Sequence, residues 1–267
     1  MSVLFLASGK ETSGDTGSLL RIRPFVSYKE PKLEVNEKLR FSIRVTDEGQ
    51  ILSYASKGGY RYGPSIIEYE DGSYDAWFSS PGNNSTQWDW VRYRHSEDGV
   101  NWSEEKIVLK PTSGSKDRCS VCDPGVICFN GYYYLGYTST DDYSRKGYNN
   151  SIFVARSQQP DGPFEKWNGE GWGGKPEPII EYEGDPDGWG IGEPSFVIKD
   201  DQLYIYYTHF DLTGGYTGLA IADLSENWPA SIKNEGMVLG RTTQDSLDVF
   251  YCEQKDLFVG FSIENKM

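Results

Sequence analysis

The chain is 267 residues long, which suits one large all-β domain or two small ones. Its 40 Asp and Glu against 26 Lys and Arg give a net charge of −14. Nucleic acid and anionic membranes, which need a basic footprint, are therefore set aside as partners.

From the N-terminus, Val3 to Ala7 is an apolar run with no basic residue ahead of it. It is too short to span a membrane and unlike a signal peptide, so a cytoplasmic location is expected. Residues 1–38 read as an irregular arm, polar at Lys10 to Gly17, with a strand or surface arm at Leu19 to Val26. Leu39 to Thr46 and Ile51-Leu52 look like the third and fourth strands of a unit that lacks its first hairpin. No linker marks a second domain, so residues 1–267 read as one.

A repeat begins at Gly63. Gly63-Pro64-Ser65-Ile66-Ile67, Asp123-Pro124-Gly125-Val126-Ile127 and Glu193-Pro194-Ser195-Phe196-Val197 each lead through a turn (Asp71-Gly72, Asn130-Gly131, Asp200-Asp201) into an aromatic-rich strand. Each is the pattern of a β-hairpin. Val91 to Ser96, Ile152 to Ser157 and Leu219 to Asp223 read as third strands. Loops carrying Trp102, Phe164 with Trp167, and Trp228 follow, and Ile107 to Leu109, Ile179-Ile180 and Met237 to Leu239 read as fourth strands. A further hairpin runs from Asp248 through Lys255-Asp256 to Phe261. The pattern predicts an all-β propeller of four-stranded antiparallel blades starting near residues 63, 123, 193 and 248. Either the chain ends combine into one composite blade, or the chain is a shortened piece of a larger ring.

The first strand of each blade lines the central channel, so its starting residues face one another. Aligned back from the turns these are Gly63, Asp123, Glu193 and Asp248, three of them acids. Carboxylates converging on a channel repel one another and raise the pKa of at least one, which is how a site obtains an acid and a base at neutral pH. Asp123, Glu193 and Asp248 are therefore the candidate catalytic residues. Aromatic rings, which make up 15% of the chain with 8 Trp and 19 Tyr, offer flat apolar faces that suit sugars. Trp88 and Trp90, read as lying in the connection between second and third strands, are candidates for stacking on a sugar. Arg61 is a candidate for binding its hydroxyls, whereas His95 reads as structural. Four cysteines are too few for a disulfide scaffold. Cys119 and Cys122 lack the second pair that a zinc site needs, so no metal site is expected.

The Asp-Pro strand at Asp123, Gly131-Tyr132-Tyr133-Tyr134-Leu135, Ala155-Arg156-Ser157, Asp161-Gly162-Pro163-Phe164 and Gly192-Glu193-Pro194-Ser195 resemble glycoside hydrolase family 43. They are similar too to the wider superfamily of five-bladed arabinanase, xylosidase, invertase and levansucrase propellers. The resemblance covers roughly residues 60–262. It implies a glycosidase acting on an oligosaccharide or glycoside, of pentose type, through carboxylates. Glu193 matches the general acid and Asp123 the acid that orients and tunes it. The family's base has no match, because Gly63 occupies the intervening position. Asp123 itself, Asp248 across the ring, or no residue at all then fills that role, and the last case leaves a sugar-binding propeller without catalysis. The family's chemistry often involves a buried His near a central cation, which implies a ligand or substrate-binding role for His209; no cofactor is required, and nothing in the sequence supports a central Ca2+. Ser96 to Trp102 resembles the Asp-box turn of sialidase-type propellers, which assigns Asp98 and Trp102 to stability.

Overall fold

A computed structural model describes residues 2–7, 59–84, 86–144, 146–242 and 244–264. Its first strand is β1 (Ser2–Ala7). The first blade is β2 (Tyr62–Glu68), β3 (Tyr74–Asn84), β4 (Gln87–Ser96) and β5 (Lys106–Leu109). The second is β6 (Cys122–Phe129), β7 (Tyr132–Ser139), β8 (Ser151–Ser157) and β9 (Glu165–Lys166). The third is β10 (Gly190–Lys199), β11 (Gln202–Asp211), β12 (Gly214–Asp223) and β13 (Lys233–Thr242). Each is a four-stranded antiparallel sheet in chain order. The fold is the expected all-β one of propeller blades.

Turn chemistry explains the hairpins. Asn130 and Gly131 both hold positive φ, as do Asp200 and Asp201. Two such residues turn antiparallel strands with the right twist, and they pair Phe129 with Tyr132 and Lys199 with Gln202. Two details differ from the pattern read in the sequence. Ile179-Ile180 is no fourth strand: Ile180 only bridges Ile152, while Glu165–Lys166 pairs with Ala155 and Arg156. Gln87 to Trp90 is no overhanging loop either, because β3 and β4 extend their pairing to Asn84 and Gln87.

The last blade is composite. β14 (Gln244–Cys252) pairs with β15 (Leu257–Glu264), and β15 pairs antiparallel with β1 from Ser2↔Ser262 to Ala7↔Leu257. Both parts of the chain thus build one blade, through Ser2–Ala7. The segment Leu39 to Leu52 lies outside the described residues.

Side chains alternate across each sheet, and both faces are used. On β7, Leu135 and Tyr137 pack with Trp77, Val91 and Tyr93 of the first blade, whereas Tyr134 packs with Leu203, Ile205 and Trp228 of the third. Val197 and Tyr206 continue the series against Val249 and Phe258 of the composite blade. Each interface is an apolar layer between face-packed sheets, the stacking that defines a propeller. The inner strands follow one another around the channel as β2, β6, β10 and β14. Gly125 is what lets β6 approach β10: a Cβ there would sit 1.9 Å from the Pro194 carbonyl oxygen.

Candidate active site

Every inner strand begins with an irregularity of the same form. Pairing is interrupted between Tyr62 and Ser65, Cys122 and Gly125, Gly192 and Ser195, and Asp245 and Asp248. Within each gap one residue adopts a left-handed backbone: Gly63 (φ 55), Asp123 (φ 49), Glu193 (φ 55) and Ser246 (φ 52). Glycine enters that region freely, whereas a side chain there costs about 1–2 kcal/mol. Gly63 shows what the bulge alone requires. Asp123 and Glu193 carry carboxylates at the same strained position, and such outliers cluster at functional sites.

Three of these bulges are tied to the blade before them. Asp123 N donates to Ser79 Oγ (2.8 Å) and Glu193 N to Thr138 Oγ1 (2.8 Å). The third tie is different. Ser246 N donates to Glu193 Oε2 (2.8 Å), Thr208 Oγ1 donates to the same oxygen (2.7 Å), and Ser246 Oγ donates to Oε1 (2.8 Å). Ser79, Thr138 and Thr208 are equivalent, each opposite the last paired residue before the bulge. The Glu193 carboxylate therefore enters a junction that hydroxyls make elsewhere in the ring.

Asp123 sits at the neighbouring bulge, with Gly63 lying over it. A Cβ on Gly63 would come within 3.4 Å of Asp123 Oδ1. The Cys122 thiol points at Asp123 Oδ2 (3.3 Å). Burial, then the charge of Asp123, pushes that thiol well up, so it stays protonated and acts as a weak donor. Trp189, half-buried, rests its ring on Gly192, where a Cβ would meet it at 2.8 Å. An aromatic ring thus stands one residue from Glu193.

The remaining candidates divide. Register places Ser246, not Asp248, at the fourth bulge. Asp248 lies two residues further along, level with Ser195, whose hydroxyl donates to its Oδ1 (2.9 Å). The Asp248 alignment is corrected accordingly, since the irregular stretch shifts the count. Arg61 is engaged within the protein: Nε and Nη2 form a fork on Glu105 (2.9 and 2.6 Å), and Nη1 donates to the Tyr60 carbonyl (2.7 Å). Burial works against that carboxylate's charge, yet Arg61, Arg94 and Arg92 hold Glu105 below its ordinary value. Trp90 is 5% exposed with the Lys110 ammonium 4.5 Å above its ring, so it does not offer a face to a sugar. Trp88 is half-buried on β4, its carbonyl accepting from Tyr60 Oη (2.8 Å). His209 follows Thr208 on β11, stacked on Tyr216 at 4.2 Å, with Nδ1 2.9 Å from Tyr216 Oη. His95 is structural as read, bonded to buried Asp75 (2.8 Å). Asp98 caps Val100 N and Asn101 N (2.8 and 2.7 Å), as its turn requires. Cys119 and Cys122 are free thiols. Among the described residues, no cluster of three or more His, Cys, Asp or Glu is arranged to hold a metal.

Sequence reasoning missed Thr208 and Ser246. One signal for Thr208 was visible: Trp77-Phe78-Ser79, Gly136-Tyr137-Thr138 and Tyr206-Tyr207-Thr208 end each second strand's aromatic run on a hydroxyl.

Face-packed four-stranded blades, two of them with an acid at the inner bulge, are those of a β-propeller. The profile of glycosyl hydrolases family 43 matches residues 59–254, and the chain belongs to that family. Among solved structures, a family 117 glycoside hydrolase of the marine bacterium Zobellia galactanivorans aligns with TM-score 0.63 and 19% identity, over 81% of this chain and 67% of its own. The GH32 beta-fructofuranosidase of Bombyx mori aligns with TM-score 0.55 and 14% identity, over 76% of this chain and 41% of its own. A thermostable family-43 glycoside hydrolase aligns with TM-score 0.50 and 17% identity, over 74% and 62% respectively. At these identities the likeness is one of fold, and this chain spans from about two fifths to two thirds of those proteins. No curated protein sequence matches the chain.

Proposed function

We propose that this family 43 member hydrolyses glycosidic bonds, with Glu193 as the acid that protonates the departing oxygen. One observation carries the reading: the acids at two successive inner bulges occupy a strained backbone position that glycine fills elsewhere in the ring. Asp123, on the adjoining strand, orients the sugar. Trp189 and Trp88 supply apolar ring surface, and His209 a polar edge, around the substrate. The substrate class is a pentose-type glycoside, a xyloside or arabinoside, with no cofactor.

Gly63 favours a second reading. Where a third carboxylate would complete the series, this bulge has no side chain, as expected of a propeller that binds carbohydrate without cleaving it.

The experiment is hydrolysis of a panel of nitrophenyl xylosides, arabinosides, fructosides and hexosides by wild type and Glu193→Gln. General acid catalysis contributes roughly 10²–10⁴-fold, and the substitution is expected to remove that much of kcat from the preferred glycoside. The anomer first released, read by proton NMR, separates inversion from retention. Sugar binding with no turnover in the wild type, unchanged by Glu193→Gln, would establish the second reading instead.

A further inference from the structure

Glu193 is held by its surroundings in a way the acid role does not by itself require. Its Oε2 accepts two donors, Ser246 N and Thr208 Oγ1, which occupy both lone pairs of that oxygen. Oε1 accepts from the Ser246 hydroxyl (2.8 Å), so one backbone N–H and two hydroxyls hold the carboxyl from two neighbouring strands. Each hydroxyl donates to the ionised carboxylate and can turn to accept from the protonated carboxyl, whereas the Ser246 N–H can only donate.

From this geometry we propose that Thr208 and Ser246 are positioning residues that fix the orientation of the Glu193 carboxyl through hydrogen bonds to both of its oxygens. The inference rests on the acid role of Glu193. The two residues come from different blades, Thr208 from β11 of the third and Ser246 from β14 of the composite one. The orientation of Glu193 is thereby tied to the junction between them.

Donors on a carboxylate favour its ionised form, so each hydroxyl also makes Glu193 a stronger acid. The titratable groups on the strands flanking Glu193 include Asp123 on β6, His209 on β11 and Asp248 on β14. All are retained in the variants below, so any change isolates the hydroxyls.

The test uses Thr208→Val, Thr208→Ser and Ser246→Gly, the last keeping the backbone donor and the left-handed conformation. The titration of Glu193 is followed by carbon-13 NMR of the labelled carboxyl, assigned by its loss in Glu193→Gln. A charge-assisted hydrogen bond corresponds to about one pH unit, so Thr208→Val and Ser246→Gly are each expected to raise the midpoint by about that much. Thr208→Ser is expected to restore it. In active protein the alkaline limb of the kcat profile moves with the midpoint while KM is little changed. A midpoint that stays put in well-folded Thr208→Val and Ser246→Gly overturns the proposal. The NMR arm needs no turnover, so a protein that binds sugar without cleaving it would refute the acid role separately from the clamp.

Discussion

Lys166 and Asp117 form a buried ion pair whose rupture gives a large and checkable effect. Asp117 is fully buried in the connection between the first and second blades, and Lys166 on β9 is 9% exposed. The Lys166 ammonium donates to Asp117 Oδ2, to Thr112 Oγ1 (2.9 Å) and to the Lys110 carbonyl (2.5 Å). Asp117 also accepts from Thr112 N (2.9 Å), Ser115 Oγ (2.6 Å) and Tyr137 Oη (3.1 Å). Burial lowers the Lys166 pKa even against the pull of Asp117, which marks how much hydration the ammonium has given up. Lys166→Met removes the cation and leaves a fully buried carboxylate without its counterion. Breaking such a pair from one side costs about 3–5 kcal/mol, a large part of the roughly 5–15 kcal/mol that stabilises a folded domain. With a urea m-value of about 3 kcal/mol/M, the midpoint is expected to fall by about 1–1.7 M. Adding Asp117→Asn removes the stranded charge and should recover at least half of the loss, because the amide oxygen still accepts from Thr112 N. Urea unfolding followed by tryptophan fluorescence measures both. A loss below about 1 kcal/mol for Lys166→Met, or a double variant no better than the single, would refute the account of a desolvated pair.

Gly125→Ala drives a methyl to within 1.9 Å of the Pro194 carbonyl and must separate β6 from β10. Overpacking of this kind costs about 1–3 kcal/mol or more, whereas Gly131→Ala, with nothing within 4 Å, meets only the strain of its positive φ; thermal melting of the two should separate them clearly. The hydrogen bond to Asp75 raises the His95 pKa, against the opposing effect of burial and with help from Glu97. Its contribution is therefore complete below the ordinary histidine value and disappears as pH rises through the folded one. The urea midpoint gap between wild type and His95→Gln should accordingly narrow from pH 6 to pH 9. Trp228 is fully buried between the second and third blades with its indole Nε1 unpaired. Trp228→Phe sheds that unmet donor and should cost less than the roughly 3–5 kcal/mol expected of Trp228→Ala, as measured by urea unfolding.

The repeat was legible because its turns are chemically explicit. Asn130-Gly131 and Asp200-Asp201 announce a conformation that few other pairs adopt, and the strands on either side follow from it. The completion of the last blade was not legible. β1 joins β15 through backbone hydrogen bonds that any extended segment can make, so Val3 to Ala7 carries no mark of its partner. Glu165–Lys166, polar and two residues long, likewise carries no strand signal, whereas the apolar Ile179-Ile180 mimics one.

The site was legible to the degree that proline marks a bulge. Pro64, Pro124 and Pro194 follow three of the left-handed residues and fix their alignment, which is why Asp123 and Glu193 fall at equivalent positions. Leu247 stands where the fourth proline would be, and without that marker the nearest acid, Asp248, took a place that belongs to Ser246. The same two-residue displacement concealed the clamp, since a serine at that point bears no chemistry until a carboxylate is seen to reach it. Arg61 and Trp90 illustrate the complementary limit. Residue type identifies what can bind a sugar, but the fork on Glu105 and the ammonium over Trp90 are set by strands brought together only in the fold. Asp123 and Glu193 escape that ambiguity because the proline after each marks the bulge that carries it, and that makes them the parts of this site that a sequence can disclose.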